Sequence, residues 1–150
     1  MSYLVTGKSG KLGNELIKHL SSYYAPSSQI LDITQPQTVS KAIVYFKPNA
    51  IIHLAAISSV ERSAQEKIRS YLVNVIGTRN LAIEASKADL KVYYISTDFV
   101  FDCTRGGYTE KDSPDPANWY GYTKYAGEIE IQQNLKKYCI IRTSFRPQKW

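Results

Sequence analysis

The chain has 150 residues, 43% of them hydrophobic, and a formal net charge of +6, a balance that fits one soluble globular domain with a real core and excludes a disordered or fibrous chain. No apolar run nears the ~18 residues of a membrane helix, the start MSYLVTG lacks the pattern of a secretory leader, and the 19 lysines and arginines are scattered rather than gathered into a nucleic-acid-binding run. Cys103 and Cys139 match no CxxC spacing, so reduced thiols in a cytoplasmic protein, without a metal, are expected.

Ser2 to Thr6 reads as a short buried strand, and Lys11 to about Ser21 as a helix with Leu12, Leu16, Ile17 and Leu20 on one face. Tyr23 to Ala25 suggests a second strand ended by Pro26-Ser27-Ser28, and Ile30 to Ile33 a further extended piece. Thr34, with Gln37 three residues on, has the form of a helix cap before the inward stripe Val39, Ile43 and Phe46, and Lys47-Pro48 stops that helix. Ala50 to Leu54 is the next strand. A long helix is expected over Ala64 to Lys87, with Tyr71, Val75, Thr78 or Leu81, and Ala85 facing inward. Lys91 to Ser96 is a strand, Asp98 to Asn118 a long loop of functional character, Tyr120 to about Asn134 a helix, and Cys139 to Thr143 a strand. This alternation predicts an α/β, Rossmann-type, doubly wound parallel sheet with helices on both faces, and ligands at the carboxyl ends of its strands.

Thr6-Gly7-Lys8-Ser9-Gly10-Lys11-Leu12-Gly13 stands at such an end, between a strand and a helix. Gly7, Gly10 and Gly13 allow a tight turn, close approach of a pyrophosphate and close helix packing, with Lys8, Ser9, Lys11 and Leu12 completing the dinucleotide-binding turn. The GxxxxGK[ST] phosphate loop is not met, because no lysine and hydroxyl residue follow the right glycine. After the second strand an acidic residue would bind the ribose of NAD and repel the extra phosphate of NADP. Ser27 and Ser28 stand there instead, so NADPH is favoured and NADH is tolerated. Asp32 reads either as an adenine contact or as a solvated turn residue.

Ser96 and Thr97 put hydroxyls at the end of another strand, and Tyr120 and Lys124 lie four apart on one helical face. A free tyrosine has a pKa near ~10, but a neighbouring ammonium and a cationic nicotinamide favour its phenolate. The pair can then exchange a proton with a carbonyl or alcohol oxygen, as ketone reduction requires. His53 reads as a core histidine and His19 as a surface one. Glu110, Lys111 and Asp112 read as a solvated loop flanking the site.

The runs TGKSGKLG, HLAA at 53–56, NVIGT at 74–78, STDFVFD at 96–102, YGYTK at 120–124 and RTS at 142–144 together resemble the extended short-chain dehydrogenase/reductases. LDIT at 31–34, the STDxVFD run and Tyr108 to Asp112 are most similar to the dTDP-4-dehydrorhamnose reductase branch of that family. The resemblance implies that Thr97 bonds the substrate carbonyl, Tyr120 donates the proton, and Lys124 binds the nicotinamide ribose and tunes the tyrosine. It further implies cofactor contacts at Asp32 and Ile33, a groove wall at Leu54, Ala55 and Ala56, a position behind the lysine at Asn74, and proximity of Thr143 and Ser144 to nicotinamide and substrate. Ser58, Val60, Asp98, Phe99 and Phe145 would line the substrate side with Thr97 and Tyr120.

Departures fall on that same side: Ser58 to Ser63 replaces a TxVDxAE run, Phe99 a tyrosine, Cys103 a glycine, and Phe145-Arg146-Pro147 a tryptophan-containing turn. The implied activity is NADPH-dependent reduction of the 4-keto group of a dTDP- or UDP-linked deoxysugar, with homodimer formation compatible. A non-catalytic subunit of the same fold, like the regulatory subunit of methionine adenosyltransferase, is the alternative. Family members continue beyond this length. Residues 1–150 are therefore expected to form the cofactor-binding domain with the catalytic Tyr/Lys, without the C-terminal substrate lobe, and to be inactive or very weak alone.

Overall fold

Every strand pairing in the computed structural model, which describes residues 1–144, is parallel. Strands β1 (Tyr3–Thr6), β2 (Tyr23–Tyr24), β3 (Ala50–His53), β4 (Lys91–Thr97) and β5 (Tyr138–Thr143) lie in the order β2-β1-β3-β4-β5. β3 is buried along its whole length, as suits a strand covered on both faces. The chain steps one way from β1 to β2 and the other way thereafter, so the carboxyl ends of β1 and β3 flank the reversal point where open α/β sheets hold ligands.

The helices are α1 (Lys11–Leu16), α2 (Pro36–Phe46), α3 (Val60–Gln65), α4 (Lys67–Tyr71), α5 (Thr78–Lys87) and α6 (Trp119–Asn134). α5 packs on both α2 and α6, making a row on one face. Right-handed crossovers put α1, whose connection runs the opposite way, on the other face. Between sheet and row lies a core of Leu4, Val39, Ile51, Leu81, Tyr94 and Ile131, among others. The doubly wound α/β fold expected from the alternating pattern is what forms.

Several elements differ from expectation for local reasons. Ile30 to Ile33 is a turn, with Leu31 and Ile33 dropped into the core rather than extended. Thr34 does not cap α2, because its N–H and hydroxyl both donate to Asp32 Oδ1, at 2.9 and 2.8 Å. The helix starts one residue later behind Gln35, with Pro36, which has no N–H to leave unpaired, in its first turn. The expected 64–87 helix begins earlier, at Val60, where Ser59 Oγ accepts from Arg62 N–H at 3.2 Å. It breaks at Glu66 and widens into a π-helical turn over Leu72–Gly77 before α5. α1 stops at Leu16, passes into a 3-10 turn at Ile17–His19, and leaves Leu12 39% exposed rather than on an inward stripe.

Candidate cofactor and catalytic site

Gly7 leaves β1 with φ +77°, a conformation that favours glycine, and a Cβ there would stand 2.5 Å from Ala55 N. A Cβ on Gly13 would stand 2.4 Å from the Gly7 carbonyl oxygen, so α1 reaches its place only without one. Gly10 is different. It donates to the same carbonyl at 3.1 Å, its φ of −72° suits any residue, and its Cβ would meet nothing nearer than that oxygen at 3.4 Å. Packing therefore demands glycine at 7 and 13, whereas a glycine at 10 leaves open space at the mouth of the turn, where Lys8, Ser9, Lys11 and Leu12 are exposed.

Beneath the turn, buried polar side chains tie β1, β3 and α5 together. Ala55 N–H donates to Thr6 Oγ1 at 3.2 Å, and Thr6 Oγ1 lies 2.7 Å from His53 Nδ1. His53 Nε2 lies 3.1 Å from Thr78 Oγ1, which donates its own proton to the Asn74 carbonyl at 2.7 Å. Thr78 must therefore accept from His53, which places the imidazole proton on Nε2 and leaves Nδ1 to accept from Thr6. Burial, with a smaller contribution from the Lys124 charge, pushes His53 down to about 3, so it is neutral. It is a core histidine, as read from the sequence.

Asn74 sits in the π-helical turn, fully buried, with its Oδ1 accepting from Ile57 N–H at 2.8 Å. Its amide donates to Ile57 O at 3.1 Å and to Thr123 Oγ1 at 2.9 Å. Both amide hydrogens are thus engaged by protein. The residue braces the loop after β3 against α6. The Ile33 side chain is 5% exposed and lies where a Cβ on Gly77 would meet it at 2.7 Å.

Thr97 ends β4, and its hydroxyl donates to Asp98 Oδ1 at 3.2 Å while accepting from Phe99 N–H at 3.3 Å within a 3-10 turn, Asp98–Val100. Gly121 lets the start of α6 press on that turn, since a Cβ there would lie 2.0 Å from the Phe99 carbonyl oxygen. Asn118 caps α6, its Oδ1 accepting from Gly121 N–H at 2.9 Å. Tyr120 is thereby held beside Thr97 and Phe99, its ring 6.2 Å from that of Phe99. Burial pushes the Tyr120 hydroxyl above its ordinary value, the neighbouring Thr97 hydroxyl pulls it down, and Asp98 adds to the rise. The phenolate-favouring effect of Lys124 expected from the spacing does not figure among these causes.

Lys124, one turn on, is 3% exposed and holds its Nζ 4.0 Å from the centre of the Tyr94 ring. Among the described residues its ammonium has no carboxylate partner within salt-bridge distance. Burial lowers it to about 7, opposed by the charge of Glu128. Ser96, buried at the end of β4, likewise has a hydroxyl with no hydrogen-bond partner among the described residues.

The other expected residues distribute around this centre. Ser27 and Ser28 form an exposed turn beyond β2, whose Ser27 carbonyl accepts from Ile30 and Leu31 N–H. Asp32 is half-buried and engaged by Thr34, and Leu54, Ala55 and Ala56 are half-buried beside Gly7. Ser58 and Val60 are exposed, whereas Asp98 and Phe99 are half-buried. Phe145 lies outside the described residues. Asp98, Arg105, Tyr108, Glu110 and Arg142 help line a cavity of about 440 Å³. Sequence reasoning missed Thr6, Tyr94 and Arg142, which support the centre through contacts that no local spacing announces, and Glu128, which its spacing of four from Lys124 could have found.

A family model described as the RmlD substrate binding domain matches residues 1–146. A dTDP-4-dehydrorhamnose reductase of Aggregatibacter actinomycetemcomitans is 38% identical over 148 residues, covering 95% of this chain and 50% of that protein. Methionine adenosyltransferase 2 subunit beta of Xenopus tropicalis is 32% identical over 150 residues, covering 93% of this chain and 45% of that protein. The crystal structure of dTDP-4-dehydrorhamnose reductase from Bacillus anthracis in complex with NADP superimposes with a TM-score of 0.92 at 38% identity, covering 95% of this chain and 53% of that one. The chain spans about half the length of the curated relatives it matches. Among the described residues, no helix is long and apolar enough to cross a membrane.

Proposed function

This chain belongs to the RmlD substrate binding domain family, and on that premise we propose that it is the NADPH-binding and proton-donating half of a cytoplasmic reductase for the 4-keto group of a dTDP- or UDP-linked deoxysugar. The observation that carries the reading is Lys124. A buried ammonium with no carboxylate against it is costly to keep, and it stands one turn from Tyr120 on the helix that also presents the hydroxyl to Thr97. The open space at Gly10 and the unpartnered Ser96 hydroxyl fit a dinucleotide as well. Gly7, Gly10 and Gly13 would admit the pyrophosphate, Ser27 and Ser28 would tolerate the NADPH ribose phosphate, and Lys124 would hold the nicotinamide ribose. Bound NADPH supplies the hydride.

The chain's own residues do the rest. Thr97, fixed by Asp98 and Phe99, orients the sugar's keto oxygen, and Tyr120, whose raised pKa keeps it protonated in the absence of other charges, donates the proton to that oxygen. The 150-residue chain would bind cofactor yet turn over poorly, because holding a reactant at attack distance supplies ~7–11 kcal/mol of a barrier and the chain spans about half the length of the relatives it matches. Fluorescence titration with NADPH, followed by NADPH oxidation with a panel of 4-keto-6-deoxy nucleotide sugars, tests both statements, with a full-length reductase as control. Absence of NADPH binding sinks the proposal, and rates equal to the control's sink the division of labour.

A second reading, a cofactor-binding subunit without turnover, is favoured by the similarity to methionine adenosyltransferase 2 subunit beta. Single-turnover incubation with excess chain separates the two. Product that disappears with Tyr120→Phe belongs to a catalyst, and tight binding to a methionine adenosyltransferase catalytic subunit without product belongs to a subunit.

A further inference from the structure

α6 carries Tyr120, Lys124 and Glu128 on successive turns of one face. Glu128 is 1% exposed and is gripped from β5 by Arg142, whose Nη2 lies 2.7 Å from Oε2 and whose Nε lies 3.0 Å from Oε1. The Phe101 ring, 5.1 Å from the guanidinium, backs the arginine. Because Arg142 takes both oxygens, the carboxylate is held at a fixed distance and does not swing onto Lys124. We infer that Glu128, fixed by Arg142, is a positioning residue that sets the proton affinity of the Lys124 ammonium.

Lys124 is surrounded from four sides. Tyr120 and Glu128 lie on its own helix, His53 on β3, Tyr94 on β4 with its ring under the ammonium, and the Glu128–Arg142 pair reaches over from β5. Asp98 follows β4 and is engaged by Thr97. His53 is neutral, and burial keeps Tyr94 and Tyr120 protonated. Among the described residues Glu128 is thus the anion whose charge reaches the lysine, in agreement with its upward pull on the ammonium. Arg142 moderates that pull by pairing with the same carboxylate. A lysine close to its own midpoint at neutral pH is one whose charge a single neighbour can switch.

The two partners make opposite predictions. In the 150-residue chain carrying 13Cε-lysine, with the Lys124 resonance identified by its loss in Lys124→Met, NMR follows that amine through pH. Glu128→Gln, which keeps shape and an oxygen for Arg142, is expected to lower the midpoint by about 1 unit, the lower end of what a close opposite charge contributes. Arg142→Gln leaves the carboxylate unneutralised and is expected to raise the midpoint, and the double substitution to return it toward the parent's. Glu128→Asp keeps the charge and is expected to keep the midpoint above that of Glu128→Gln.

Brace-like roles for the pair would move both single variants alike. An unchanged midpoint in Glu128→Gln, or shifts of one sign in both, overturns the inference. Should Glu128→Gln not fold, Arg142→Gln decides alone: a rise supports the inference, and no rise refutes it. The bearing on catalysis rests on the function proposed above. A Lys124 resonance indifferent to saturating NADPH would refute that function while leaving the coupling intact.

Discussion

Replacing Lys124 by methionine should make the fold more stable while removing its chemistry. Burial carries the amine from an ordinary 10.5 down to about 7. Between those values the unfolded chain holds a proton that the folded chain has released, so stability rises with pH across the window and the contribution is wholly lost once pH falls below about 7. A displacement of about 3.5 pH units corresponds to about 5 kcal/mol at 1.36 kcal/mol per unit, and about 3 kcal/mol of it falls between pH 6 and 9. Methionine has similar length, carries no charge, and its sulfur suits the face of the Tyr94 ring. Urea denaturation of parent and variant at pH 6, 7.5 and 9 is the assay, kept below the range where tyrosines ionise. The variant should be the more stable by several kcal/mol at pH 6, with the advantage shrinking steadily toward pH 9. A difference that is flat across this range, or a variant less stable at pH 6, would refute the reasoning that the fold tolerates a buried charge at Lys124.

The glycine turn supplies a paired test: Gly13→Ala drives a methyl into the Gly7 carbonyl and should cost ~1–3 kcal/mol in denaturation. Gly10→Ala should stay within about 0.5 kcal/mol of the parent and yet weaken NADPH in a fluorescence titration, and equal stability losses would show that the two positions are alike. Tyr120→Phe should leave NADPH affinity nearly intact and abolish product in single turnover, whereas retained product would move the proton donor to another group such as Tyr122. NADPH should bind at least as tightly as NADH because Ser27 and Ser28 carry no charge. A clear NADH preference would remove that basis.

Much of the fold was legible because its signals are local. The Gly7, Gly10 and Gly13 spacing between a strand and a helix needs no distant partner to be read, and Thr97, Tyr120 and Lys124 stand at strand and helix ends that their own flanks predict. The polar support beneath them was not legible. Thr6 meets His53 across 47 positions through the parallel register of β1 and β3, and His53 meets Thr78 of α5 across 25. The stripe read over 64–87 holds at Val75, Thr78, Leu81 and Ala85, all buried, although the helix widens over Leu72–Gly77, a turn that no residue pattern announced. Thr34 and Gln37 imitate a capping box, but Asp32 two residues earlier competes for the threonine, and Pro36 sets the start instead. Tyr120 and Lys124 show the limit of spacing for electrostatics, because four residues fix a common face and not the burial that dominates both groups.

The glycine turn also bears on how such a chain ages in a lineage. Gly7 is fixed by its left-handed backbone and by Ala55 and Leu54 against it, and Gly13 by the Gly7 carbonyl oxygen, so neither can take a side chain without moving backbone, and selection for folding alone retains both. Gly10 has no such guardian, since its torsions and surroundings admit a side chain. In a descendant that kept the scaffold but abandoned its ligand, position 10 would be free to drift first, ahead of either neighbour. The residue least needed by the architecture is therefore the one whose identity records whether the groove is still in use, and in this chain it is still glycine.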